Sequence, residues 1–342
     1  MKATTVTHPL GIPPLAELHA HIGSAIPAHV LWSIAHEQGF RLPTKNYWEY
    51  EQAITARPGS LEDVHELTNK VFDVTHLVQS STEALPMIMQ QAVSGAYRHS
   101  NIIWQEWRID PLQRNRNGER DADHIILALL YGKDRVDIEY PMVRTGIIFE
   151  MYRKFSPEVN AIIIEKAIKY KNRGVVGVDM CGPQMSSFSM KKHAPLFARA
   201  REAGLGITVH TGEEGDIREM ENVVEYIRPD RIGHGIQAYK HPSLMKKLAE
   251  QNIVLELCPT SNLNCSVLAN VDEVKTAIRT LVDNGVRITL NTDGPEMHST
   301  SLLKEFAMMR EHKILSEEEI EKVRKEAFTA SFLNDVPYRA TC

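Results

Sequence analysis

From Asn101 onward the chain repeats one move, a short apolar run rich in valine and isoleucine followed by a longer stretch of helical periodicity. NIIWQEWRID (101–110) gives way to DADHIILALLYGKDR, VRTGIIFE (143–150) to PEVNAIIIEKAIKYK, and GVVGVDMCG (174–182) to KKHAPLFARAREAG. The series continues with ITVH (207–210) before GDIREMENVVEYI, RIGHGI (231–236) before HPSLMKKLAEQN, and IVLELCP (253–259) before DEVKTAIRTLVDNG. It closes with VRITLNTDGP (286–295) before TSLLKEFAMM and SEEEIEKVRKEAFTASFL. Short apolar runs without polar alternation are strands buried on both faces, so the pattern predicts a parallel sheet clothed by helices. LAELHAH (15–21) adds a first strand, and eight such units fit a single α/β domain over 1–342, a (β/α)8 TIM barrel. A doubly wound open sheet is the competitor; it would carry a glycine-rich phosphate turn, and the chain has no G-x-G-x-x-G.

Pro9, Pro13 and Pro14 mark an irregular entry to the first strand. Residues 25–100, between strands one and two, are too many for a bare connection. Pro27 opens a helix through LWSIAHEQG, Ser60 with Asp63 marks a helix start before LEDVHELTNKVFDVTHLV, and STEALPMIMQQAVSGAYRHS continues as a helix despite Pro86. The expectation is a helical insertion covering the site.

The ionisable residues fall at strand ends. His210 ends the run ITVH, and Glu213 lies in the turn beyond it. At strand period His19 and His21 project to one face about 6.6 Å apart. His234 in RIGHG and Asp293 in NTDG end strands six and eight. In a parallel barrel these termini share one rim, where barrel active sites are built. Three neutral imidazoles and a carboxylate suit zinc with an open position for water, and an unligated carboxylate such as Glu213 can move protons. Singly, each has an ordinary explanation: His234 as a hydrogen-bonded barrel residue, Asp293 as a turn former, Glu213 as a helix cap. Gathered on one rim they predict a metal site.

Other classes are disfavoured. A net charge of -5, a pI near 6.3 and the lack of any Lys/Arg block leave no footprint for nucleic acid. Cys181, Cys258, Cys265 and Cys342 form no C-x-x-C pair and read as buried or spare thiols. No stretch approaches the roughly 18 apolar residues of a membrane span, and the N-terminus has no apolar signal region. A cytoplasmic protein without membrane partners is expected; oligomeric state has no signature.

ELHAHIGS, VVGVDMCGP, TVHTGEE, RIGHG, ELCPTSN and NTDGPEM, in that order, resemble the adenosine deaminase family of metal-dependent amidohydrolases over essentially the whole chain from Leu15. The resemblance implies one zinc ion per chain and hydrolytic replacement of an exocyclic amine on a purine-like ring, with release of ammonia. It implies His19, His21, His210 and Asp293 as ligands, and Glu213 as proton donor to the ring nitrogen beside the attacked carbon. His234, as imidazolium or as a donor, would orient the water and compensate its charge, and the Gly182 backbone would meet another ring nitrogen. Glu213 can donate only if burial raises its pKa toward about 6 to 7. Binuclear relatives carry a bridging lysine at the end of strand four; here that strand ends VGVDMCGP with Lys171 before it, so one metal is expected.

Two positions depart from the family. The second of two consecutive aspartates after strand eight is Gly294, and H-x-H-L-x-G with its nearby acid is replaced by the shorter HAHIGS. Both departures fall on substrate recognition. Expected is deamination of an aminopurine nucleoside or related amino-heterocycle, with adenosine a poor substrate, Gly294 opening space and Glu296 as replacement acceptor. The rivals are a metal-dependent hydrolase of a cyclic amide or ester and a binding protein on a degenerate barrel.

Overall fold

The computed structural model describes residues 11–58, 66, 71–116, 121–185 and 187–335; Pro9, the helix start proposed at Ser60 and Asp63, and Cys342 lie outside them. Eight parallel strands follow one another in chain order: β1 Leu15–His21, β2 Ile102–Ile109, β3 Arg144–Tyr152, β4 Val175–Cys181, β5 Gly206–Thr211, β6 Arg231–His234, β7 Val254–Leu257 and β8 Arg287–Leu290. Helices fall between them where the periodicity places them, and several starts are fixed by local chemistry. Ser156, Asn270, Ser301 and Ser316 each accept a first-turn N–H, and Ser316 forms a capping box with Glu319. Pro86 sits in the first turn of Ala84–Ser100, where its missing N–H costs nothing. The short helix Pro259–Asn264 after β7 has no counterpart in the sequence reading.

The ring closes past the end of β8. Asp293 was expected to end that strand; it lies beyond it, left-handed at φ 59°, because its peptide pairs with β1 instead of β7. Its N–H donates to His19 O and its carbonyl accepts from His21 N, both at 2.8 Å. Elsewhere in the seam side chains replace the ladder. Leu18 N donates to Asn291 Oδ1 at 3.2 Å, and Thr292 donates its N–H (3.2 Å) and hydroxyl (2.8 Å) to the Glu17 carboxylate.

The lumen is polar. Arg231 bridges Glu106 and Glu256, and Arg108 bridges Glu256 and Asp179, an alternating series of charges that is fully buried. At the N-terminal mouth the chain end plugs the barrel. Ser331 Oγ and Phe332 N donate to Glu106 Oε1 at 2.6 and 2.7 Å, and Arg231 donates to Ala330 O at 2.6 Å while lying 3.6 Å over the Phe332 ring. A Cβ on Gly206 would come within 2.3 Å of that ring, so only glycine lets it enter. The charged groups are therefore paired in place, the condition under which a buried ionic network is tolerated. No helix among the described residues is long and apolar enough to cross a membrane.

Candidate metal centre and active site

Barrel closure brings the predicted ligands together at the C-terminal mouth. Donor atoms of His19, His21 and His210 lie within 4.8 Å of one another, as do those of His19, His234 and Asp293. His21 Nε2 is 3.1 Å from His210 Nε2 and 3.3 Å from Asp293 Oδ1, and His19 Nε2 is 3.8 Å from the same oxygen. Ser261 Oγ donates to the other oxygen, Asp293 Oδ2, at 2.6 Å, with His298 Nε2 at 3.6 Å, so Oδ1 is left toward the histidines.

Each ring is backed by a carboxylate that the sequence reading missed. Glu256 lies 3.0 Å from His19 Nδ1, Glu150 2.9 Å from His21 Nδ1, and Asp179 2.8 Å from His210 Nδ1. An oxygen anion that close places the proton on Nδ1, so all three Nε2 atoms present lone pairs inward. Two such lone pairs at 3.1 Å repel, and His19 Nε2 is buried without a hydrogen-bond partner among the described residues. A divalent cation that takes nitrogen and oxygen ligands resolves both conflicts, so the donor set fits the implied metal. Glu150, Asp179 and His210 also cluster, but Asp179 Oδ2 is already taken by Arg108 and His210. The signal for the backing acids was a charged residue inside an apolar strand, as in LEL and GVD, which demands a buried partner.

Electrostatics follow the geometry. Burial, reinforced by Arg108, holds His19 well below the ordinary histidine value. Burial works against His21 too, but the Glu150 charge carries it upward. Asp293 stays well below the carboxylate range: burial opposes this, and the neighbouring His298 and His21 overcome it. Gly233 is required by this crowding, since a Cβ there would sit 2.9 Å from His19 Cε1 and 3.2 Å from His210 Cγ.

A cavity opens above these residues, with Phe72, Tyr152 and Pro183 among its apolar lining. Glu213 reaches into it beside His234, Oε2 to Nε2 3.6 Å, and accepts from Asn262 Nδ2 at 3.4 Å. Burial, then Asp293 and Glu214, push the Glu213 carboxyl well above its ordinary value, which favours its protonated form. Burial draws His234 down to about 3, and its Nδ1 accepts from Asn262 at 3.3 Å. His234 is therefore a neutral Nε2–H donor, which selects between the two forms the sequence left open. His234 and Asp293 both adopt φ 59°, a left-handed strain of the kind found where side chains are held for function.

Gly182 lines the cavity at φ +89°, and a Cβ there would strike the Tyr152 ring at 2.4 Å, so its backbone faces the space bare. Arg153 fixes this edge by donating to Gly182 O at 2.6 Å and to His210 O. Gly294 and Glu296 are placed elsewhere. A Cβ on Gly294 would meet Ser24 and Met297 at 2.8 Å, and Glu296 is exposed beside a separate cavity of about 260 Å³ with Ser24 and Thr55. The main cavity takes Phe72 and His76 from the insertion and Arg114 from the loop after β2, none of which sequence reasoning marked.

The sequence profile of the adenosine deaminase family matches residues 14–340. An adenosine deaminase of Clostridium kluyveri is 28% identical over 322 residues, covering 93% of this chain and 89% of its own. An adenine deaminase of a Chelativorans species is 30% identical over 332 residues, covering 94% of each chain. The crystal structure of an adenine deaminase from Arthrobacter aurescens superposes with a TM-score of 0.84 at 19% identity, covering 95% of this chain and 96% of that one.

Proposed function

The chain belongs to the adenosine deaminase family, and on that footing we propose that it holds one zinc ion among His19, His21, His210 and Asp293 and deaminates an aminopurine nucleoside or related amino-heterocycle. It is a hydrolase of C–N bonds other than peptide bonds, exchanging the ring amine for oxygen and releasing ammonia. One observation carries the reading: three imidazoles and a carboxylate converge beside Glu213 and His234 in one cavity. The ion, when bound, supplies a Lewis acid that lowers the pKa of water from 15.7 toward roughly 7.

The chain's own groups do the rest. Attack on an aromatic carbon costs ring stabilisation unless the neighbouring nitrogen takes up the charge as an N–H. Glu213 supplies that proton, since burial favours its protonated form, and then accepts one back from the attacking water. His234, fixed as an Nε2–H donor by Asn262, orients the oxygen nucleophile and stabilises its developing charge. The Gly182 N–H meets a second ring nitrogen, with Arg153 N donating to Cys181 O at 3.1 Å to hold that peptide.

Phe72 and His76 support reading residues 25–100 as the cover of the site within one unit spanning 1–342. The free, buried Cys181, Cys258 and Cys265 support a reducing, cytoplasmic home. With no acidic side chain after Asp293 facing the cavity, adenosine is expected to be a poor substrate.

The test is an ammonia-release screen of the zinc-loaded protein against aminated purines, pterins and pyrimidines, with metal analysis of the protein as isolated. Release from an aminopurine other than adenosine with near one zinc per chain is the expected result. Two metals with no ammonia would point to a cyclic amide or ester hydrolase, no metal to a binding protein, and brisk adenosine turnover would overturn the substrate assignment.

A further inference from the structure

The cavity has a second polar pole that the deamination chemistry does not use. Arg114 is 3% exposed, yet its Nε and Nη1 have no hydrogen-bond partner among the described residues. Asp110, in the same loop, spends its oxygens on Leu112 N, Gln113 N and Gln113 Nε2. The Arg114 guanidinium packs against Gly23, where a Cβ would come within 2.5 Å of Nη2. His76, also buried, has an Nδ1 without a partner among the described residues, and burial followed by the Arg114 charge holds its ring well below the ordinary histidine value. Arg114 and His76 line the same cavity as the metal-site residues. Phe72 connects the two ends, its ring 5.2 Å from His76 and 6.2 Å from His21.

The barrel order gives this pole a direction. Arg114 follows β2 and His234 ends β6, strands that stand opposite each other in an eight-membered ring. A molecule presenting its amine to Glu213 and His234 therefore extends its far end toward Arg114. A buried guanidinium with open donors is costly unless an anion completes it, and burial lowers Arg114 only to about 10, so it is cationic at neutral pH.

Resting on the deaminase reading above, we propose that Arg114, with His76, is the specificity-determining pole for an oxyanion, phosphate or carboxylate, carried by the substrate on the side away from its reacting amine. The guanidinium fork would grip two of its oxygens, and the imidazole would add a neutral donor or accept a proton from a hydroxyl beside it.

Calorimetry with the zinc-loaded protein decides this without turnover, using three ligands that share one base: inosine, inosine 5′-phosphate and inosine 5′-carboxylate. The expected result is that an oxyanion-bearing member binds about ten- to a hundredfold tighter than inosine. The stronger of the two identifies the anion. R114Q should bring that ratio near one, and R114K should keep part of it because the charge remains. The same collapse should appear in kcat/KM for adenosine 5′-phosphate over adenosine. A ratio near one in the wild type, a preference that survives R114Q, no binding of any of the three, or an equal loss for all with a lowered melting temperature would each overturn the proposal. Oxyanion-dependent binding without ammonia release from any aminated analogue would instead sink the deaminase reading and leave the pole standing.

Discussion

Replacing Glu150 by glutamine tests the metal centre at its least conspicuous point. The side chain is 5% exposed and its Oε1 lies 2.9 Å from His21 Nδ1. Glutamine keeps the shape and an accepting oxygen but removes the charge, so a charge-assisted contact worth about 1.5–3 kcal/mol becomes a neutral one worth about 1. The difference, about 0.5–2 kcal/mol, weakens zinc binding about two- to thirtyfold at 1.4 kcal/mol per factor of ten. Protons compete for the same nitrogen. Glu150 raises the His21 pKa, so E150Q lowers it and eases that competition at acid pH, which would mask the loss. The comparison therefore belongs at alkaline pH, near 8, where proton competition for His21 is weakest. Titration against a chromophoric chelator at that pH gives the two affinities, and the melting temperatures of the metal-free proteins control for folding. Equal affinities within twofold, with equal melting temperatures, would show that the His21 Nε2 lone pair does not face the cation.

Changing Glu213→Gln should cut ammonia release by about 10²- to 10⁴-fold while the zinc content stays the same, because only the proton donor is removed. Loss of zinc in that variant would make Glu213 a ligand. Asp110 offers a pH test away from the metal, since burial raises it from 3.8 to about 6. A raised carboxyl keeps its proton in the folded state while the unfolded chain releases it, so wild-type stability falls relative to D110N as pH climbs from about 4 to about 6, by up to about 3 kcal/mol. Urea unfolding of both proteins at pH 4 and pH 7 reads this, and a pH-independent difference would refute it. Phe332→Ala should cost about 3 kcal/mol in thermal unfolding without changing zinc content, since it empties the space between Arg231, Gly177 and Gly206. A stability within 0.5 kcal/mol of wild type would show that the plug is idle.

Much of the architecture was legible because it is local. β-Branched runs such as ITV and GVVGV set strands, amphipathic stretches set helices, and the parallel order follows from their alternation. His19, His21, His210, His234 and Asp293 could be read as one group because strand ends of a parallel barrel share one mouth whatever the details of packing, and the family resemblance singled out the ligands among them. What eluded sequence reading depends on distance along the chain and on side-chain direction. Glu256 meets His19 across 237 positions, and no local pattern encodes that pairing. Asp293 leaves the strand because its partner is β1, a consequence of closure and not of residues 286–295. Gly294 and Glu296 are near Asp293 in sequence, yet the left-handed turn at Asp293 sends the chain toward Ser24 and away from the cavity. Arg114 gave no signal at all, as an arginine in a polar loop is ordinarily solvated.

Because Ser331 and Phe332 seal the mouth opposite the metal, the two ends of this barrel have unequal tolerance for the protein engineer. Stopping the chain at Ala330 would spare every ligand and still strip Glu106 of two donors and Arg231 of its aromatic seat. Shortening tails is a routine liberty in preparing crystals; here it should stop short of Leu333, and a fusion partner at that end needs a spacer beginning beyond it.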